Sequence, residues 1–66
     1  MFNQKDKNNK VVLFDIEFDE TNMIWYMDAV DKDFNFLENK FSSATIDRNQ
    51  VIKEAREYIK NNALVK

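Results

Sequence analysis

Glycine, proline, cysteine and histidine are all missing from this 66-residue chain. Each absence removes a class of chemistry. Without glycine, phosphate-cradling loops, dinucleotide fingerprints and the standard calcium loop are excluded, because each needs a residue without a β-carbon at a fixed place. Without cysteine there are no disulfides and no thiolate ligands. Without histidine the commonest metal ligand and the commonest acid–base residue are gone, and the hydroxyls of Ser42, Ser43 and Thr45 have no imidazole to activate them. Long hydrophobic runs are missing too: nothing approaches the ~18 apolar residues of a membrane helix. The run Met1-Phe2-Asn3-Gln4-Lys5 has no h-region of a signal peptide. The expectation is a cytoplasmic, non-catalytic protein that takes no metal, no cofactor and no place in a membrane.

What is present is a globular composition, 44% hydrophobic, 14% aromatic and 33% charged, outside the range of disordered chains. The length allows one domain. A chain this short buries only about 60% of its unfolded surface. With disulfides and metals unavailable, the expected staple is another chain, either a second copy or a different protein. Turns must be built from Asn and Asp, which tolerate left-handed backbone.

Residues 1–10 are polar and mostly basic with no periodicity, which predicts a flexible tail ahead of one domain over 11–66. From Val12 onward the chain alternates strictly. Val12, Phe14, Ile16 and Phe18 share one face, and Asp15, Glu17 and Asp19 the other, which predicts a half-buried strand over 11–19. Asp19-Glu20-Thr21-Asn22 reads as a tight turn before a second strand over 23–31. With Asp19 facing Asn22, the inner pairs are Phe18–Met23, Ile16–Trp25, Phe14–Met27 and Val12–Ala29, all apolar. Asp31 to Asn35 is a second turn. A third, poorly patterned strand follows over 36–43, with Leu37 and Phe41 inward, Asn39 anomalous between them and Phe36 ambiguous. Asp47 is the expected helix N-cap, with Gln50 completing a capping box and Ile46 stapling onto Val51. Val51, Ile52, Ala55, Tyr58, Ile59 and Ala63 form an apolar stripe at helical spacing, and Lys53–Glu57 is an i, i+4 pair. Asn61-Asn62 suits the C-terminus, and Leu64 and Val65 extend the helix or dock as a tail. The predicted fold is α+β: a three-stranded antiparallel meander sheet packed on one C-terminal helix, in the order βββα.

One helix covers one side of a sheet. The other side would carry Leu13, Asp15, Glu17, Ile24, Tyr26, Asp28 and Val30, with Leu13, Tyr26, Ile24 and Val30 as a contiguous exposed apolar zone. Such zones mark interaction sites, against the plainer alternative of scattered surface residues. Charge is segregated as well. Residues 11–47 carry nine acids against two bases, whereas residues 48–66 carry five bases against two acids. An acidic sheet and a basic helix can orient a partner. Asp31-Lys32-Asp33-Phe34-Asn35 starts like a calcium loop, but Phe36 stands where glycine is needed and Ser42 where glutamate is needed.

The βββα order, carried by the run from Phe41 to Ile59, resembles the arm-binding domains of phage integrases and the small HicB-type antitoxins. The likeness is topological, and no residue role follows from it. Arm-binding sheets are basic where this one is acidic, and the antitoxins carry Gly and Pro around their strands. The expected function is therefore a small protein-binding module, an inhibitor or regulator that uses the acidic and apolar sheet face, alone or as a homodimer joined at a sheet edge. Two alternatives stand beside it. One is a nucleic-acid binder that uses Lys53, Arg56 and Lys60 with the basic N-terminal segment. The other is an acidic mimic of nucleic acid, with Asp15, Glu17 and Asp19 spaced about 6.6–6.8 Å apart along the strand.

Overall fold

The computed structural model covers Met1–Lys66 and shows an antiparallel sheet followed by one C-terminal helix, the α+β fold predicted from the sequence. The elements are β1 (Phe2–Lys5), β2 (Val11–Asp19), β3 (Ile24–Val30), β4 (Ser42–Ser43) and α1 (Arg48–Lys60), and the sheet order is β1-β2-β3-β4. No helix is long and apolar enough to cross a membrane.

The first departure from expectation is at the N-terminus. Residues 2–5 are not a tail but the edge strand β1, with Phe2 opposite Phe14 and Gln4 opposite Val12. Phe2 lies 5.3 Å from the Phe14 ring. Four residues with one inward aromatic are too short to show a period, yet the neighbouring strand supplies both backbone partners and an apolar wall. Part of the stapling that size demanded is thus supplied from within the chain.

The three turns solve the absence of glycine in one way: an aspartate carboxylate collects the turn's backbone N–H groups. Asp6 Oδ1 accepts from Asn8 and Lys10 at 2.9 and 3.0 Å. Asp31 Oδ1 accepts from Asp33 and Asn35 at 2.8 and 2.9 Å. Asp19 Oδ1 accepts from Thr21 and Asn22 at 3.0 and 3.3 Å. One residue in each turn is left-handed: Asn9 (φ 62°), Met23 (φ 56°) and Phe34 (φ 65°). Only the first is of the residue type that tolerates this conformation.

The Asp19 turn also changes the hairpin register. Asp19 faces Ile24 rather than Asn22, so the loop holds the four residues 20–23 instead of two. The inner pairs become Phe18–Trp25, Ile16–Met27 and Phe14–Ala29. A shift of two residues leaves every side chain on its expected face, which is why both registers satisfy the apolar pattern. The Phe18 and Trp25 rings pack at a tilt of 55°, 5.1 Å apart.

The third expected strand is interrupted. Phe36 bridges to Val30, and Ser42 and Ser43 pair with Tyr26 and Trp25. Four steps along β3 match six along the partner, so two residues loop out. Asn39 stands at that bulge, and its amide does the work of a backbone group: Nδ2 donates to the Met27 and Leu37 carbonyls, and Oδ1 accepts from Phe41 N–H. The anomaly in the apolar pattern is thus a bulge filler. Leu37 and Phe41 are buried on either side of it.

Helix α1 starts at Asp47, whose carboxylate accepts from Asn49 N–H at 3.0 Å. The rest of the expected N-terminal motif does not form. Gln50 turns toward Glu54 rather than back to the cap, and Ile46 is 89% exposed rather than stapled on Val51. Glu54 instead receives the Ser43 and Thr45 hydroxyls at 2.8 and 3.0 Å, which pins the helix to β4. Val51, Ala55 and Ile59 are buried against Val12, Phe14, Ile16, Met27, Ala29, Leu37 and Phe41, and Ile52 and Tyr58 flank them. Ala63 lies past the helix and is exposed, while Leu64 and Val65 dock on the core as a tail. Glu57 pairs with Lys60 at 3.7 Å, not with Lys53.

Candidate interaction surface

The helix and the docked tail belong to the inner face, so the outer face of the sheet is free of the chain's own elements. Cross-strand partners share a face, and the register therefore arranges the outer side chains in rows. Asn3, Leu13, Val30 and Phe36 form one row across the whole sheet. The next row pairs Asp15 with Asp28, the next Glu17 with Tyr26, and the last Asp19 with Ile24. All seven residues expected on this surface are on it.

Their grouping differs from expectation. Leu13, Val30, Tyr26 and Ile24 are not contiguous, because the Asp15–Asp28 pair lies between the first two and the last two. The two-residue shift in register placed the acids directly opposite each other. The apolar row is completed instead by Phe36, which is 71% exposed. Phe36 could not be assigned a face from the sequence because the bulge at Asn39 destroys the period of its segment. Leu13, Val30 and Ile24 are half-buried, and Tyr26 is 39% exposed.

Electrostatically the face is crowded with carboxylates. Like charges brought close together disfavour the ionised form, and Asp28 shows it. A hydrogen bond shared with Glu17, partial burial and the charges of Glu17 and Asp15 push its carboxyl above the usual value of 3.8. Tyr26 Oη donates to Glu17 Oε2 at 3.0 Å, and that bond and the adjacent charge raise the phenol above 10.0. The one ion pair on the face is weak and exposed, the Met1 ammonium at 3.7 Å from Asp15 Oδ1.

No set of three or more acidic, His or Cys side chains is placed to hold a metal ion. The Asp31 carboxylate, which heads the calcium-loop look-alike, spends its oxygens on Asp33 N–H, Asn35 N–H and Asn35 Nδ2. The largest depression, an open groove of about 720 Å³, meets this surface only at Phe36 and runs between the Phe36–Lys40 segment and the C-terminal tail.

The three helix bases do not form a common free surface. Arg56 is folded inward: Nη1 donates to the Asn3 carbonyl at 2.8 Å and to Gln4 Oε1 at 3.2 Å, with the guanidinium over the Phe2 and Phe14 rings. It covers the β1 edge, the same edge a strand-paired homodimer would use. Lys60 is paired with Glu57, and Lys53 is exposed. No family model, no curated protein and no solved structure matches this chain.

Proposed function

We propose that the protein is a small non-catalytic binding module, an inhibitor or regulator of another protein, and that the outer sheet face is its contact surface. The observation that carries this reading is the contrast between the two sides of one sheet. The inner side is closed by α1. The outer side keeps two exposed aromatic residues, Tyr26 and Phe36, beside carboxylates set against one another at a cost to the fold. Aromatic anchors ringed by polar groups are the usual anatomy of an interface centre.

The same acids support a second reading, imitation of nucleic-acid phosphates, in which Asp15, Glu17, Asp19 and Asp28 occupy a phosphate-binding surface on the partner. Both readings are tested by Tyr26→Ala and Tyr26→Asp. The substitutions sit on the face and away from the core, so the fold should survive, as checked by circular dichroism. The expected outcome is that a partner captured by the wild-type chain is lost with Tyr26→Asp and weakened with Tyr26→Ala. Undiminished capture by both folded variants would remove the outer face as the contact surface.

A further inference from the structure

We infer that the occupant of the outer face is a basic amphipathic helix of a partner protein, seated with its apolar side on Leu13, Val30 and Phe36 and a Lys or Arg over Asp15 and Asp28. This rests on the outer face being the contact surface. It adds the shape and charge of what binds there.

Shape comes first. Leu13, Val30 and Phe36 sit on three adjacent chain segments, and at about 4.8 Å between neighbours the row spans roughly 10 Å. That is the width of one helix with its side chains. Along the strands, successive outward rows are about 6.8 Å apart, close to one helical turn of about 5.4 Å. A helix lying along the strands therefore meets an apolar row, then an acidic row one turn on, then Tyr26 with Glu17 a turn further. The complementary pattern on the partner is apolar, cationic and then mixed at i, i+4 spacing. A sheet closed by a helix on one side is completed by a helix on the other.

Charge selects the partner's sign. Asp15, Glu17, Asp19 and Asp28 all lie on this face, opposed by Lys5 at the edge and by the Met1 ammonium. The raised carboxyl of Asp28 reports crowding that an incoming cation relieves. The same crowding argues against a second copy of this chain packed two-fold about this row, because that contact would lay the acidic row against itself.

Cost to the fold points the same way. Phe36 is 71% exposed and Phe34, two residues earlier, 68%. Phe34 also holds a left-handed backbone, unfavourable for a bulky side chain. Neither ring joins the core.

The test uses three 18-residue synthetic peptides added to the intact, isotope-labelled chain. One has Leu at helical spacing with Lys elsewhere, one has the same Leu positions with Glu elsewhere, and one is a scrambled Leu/Lys sequence. The Leu/Lys helix is expected to shift the amide signals of Leu13, Asp15, Tyr26, Asp28, Val30 and Phe36. Its affinity should fall about tenfold or more with Asp15→Asn plus Asp28→Asn, and by a similar factor with Phe36→Ser. Glu57→Gln, which removes one acid on α1, should alter it less than twofold. The Asp→Asn changes relieve repulsion, so loss of fold does not confound them. Equal binding of the scrambled peptide, or shifts confined to α1, would overturn the proposed helix. Binding of the Leu/Glu peptide to the same residues would overturn the cationic partner while leaving the face a contact surface. Silence of the face toward all three peptides, together with no effect of Tyr26→Asp on capture, would remove both.

Discussion

Two five-residue turns in this chain, Asp6-Lys7-Asn8-Asn9-Lys10 and Asp31-Lys32-Asp33-Phe34-Asn35, are built alike. In each, the first residue's carboxylate takes the N–H groups of the third and fifth residues. Its own N–H and carbonyl bond the fifth carbonyl and the fourth N–H, and the fourth residue is left-handed. The two loops then diverge in what surrounds them. Asp6 is 5% exposed, and its second oxygen accepts from Val65 N–H at 3.1 Å, while Lys7 N–H bonds the Asn62 carbonyl at 3.1 Å. That turn locks the two ends of the chain together. Asp31 heads a loop whose fourth residue, Phe34, is exposed. One local design is tied to the chain's other end in one place and stands exposed in the other.

The largest effect that separates them is expected from removing the carboxylates. Asp6→Ala leaves the N–H groups of Asn8, Lys10 and Val65 without an acceptor in a partly buried setting, and should cost about 2–3 kcal/mol. Asp31→Ala exposes its freed N–H groups to water and should cost clearly less. Urea denaturation of the two variants measures both, and equal midpoints would break the contrast. Asp6→Ala should also speed hydrogen exchange at Val65, a change that Asp31→Ala does not share.

An exchange at the fourth position is the next largest. Phe34→Asn should stabilise the protein by about 1 kcal/mol, because Asn tolerates left-handed backbone better, and Asn9→Phe should destabilise it by a similar amount. If Phe34→Asn destabilises instead, Phe34 has a packing role in the isolated chain and its exposure has been misjudged.

The smallest effect is in the pH dependence, where Asp6 and Asp28 pull in opposite directions. Burial works to raise Asp6, but the backbone N–H groups of Lys10, Val65, Asn8 and Leu64 hold it below 3.8. Its folded form binds its proton more weakly than the unfolded chain does. The stability it adds is therefore complete above about 3.8 and lost as pH falls through the lower folded value. Asp28 is raised above 3.8, so its folded form binds the proton more tightly, and stability falls as pH rises from 3.8 through the folded value. Asp6→Asn should flatten the acid limb of the stability curve. Asp28→Asn should abolish the loss on the rising side and leave the acid limb in place. Stability profiles from pH 2 to 8 distinguish the two.

These contrasts show why some of the molecule was legible in the sequence. The alternation from Val12 to Phe18 and the stripe from Val51 to Ile59 each repeat a period over several turns of chain, and both landed as predicted. The seven outward residues were legible for the same reason, since facing depends only on parity. The register was not, because shifts of two residues keep parity and the four-residue loop, with its Asp19 carboxylate bonds and left-handed Met23, follows no period. Strand β1 was hidden by its brevity. Phe36 was hidden by the Asn39 bulge, whose side chain replaces a backbone partner that no local pattern announces.

Taken alone, the sequence determined which side chains face inward, where the helix begins, and that Asn and Asp must stand in the turns where glycine does elsewhere. Those are properties of single residues and short periods, set by backbone sterics and by the water each side chain sheds. Tertiary structure alone decided that Asp15 meets Asp28, that Phe36 joins Leu13 and Val30, that Arg56 turns inward over Phe2, and that Asp6 clasps the tail. Each of these depends on two segments arriving side by side, and distance in space is not encoded in the spacing of either one.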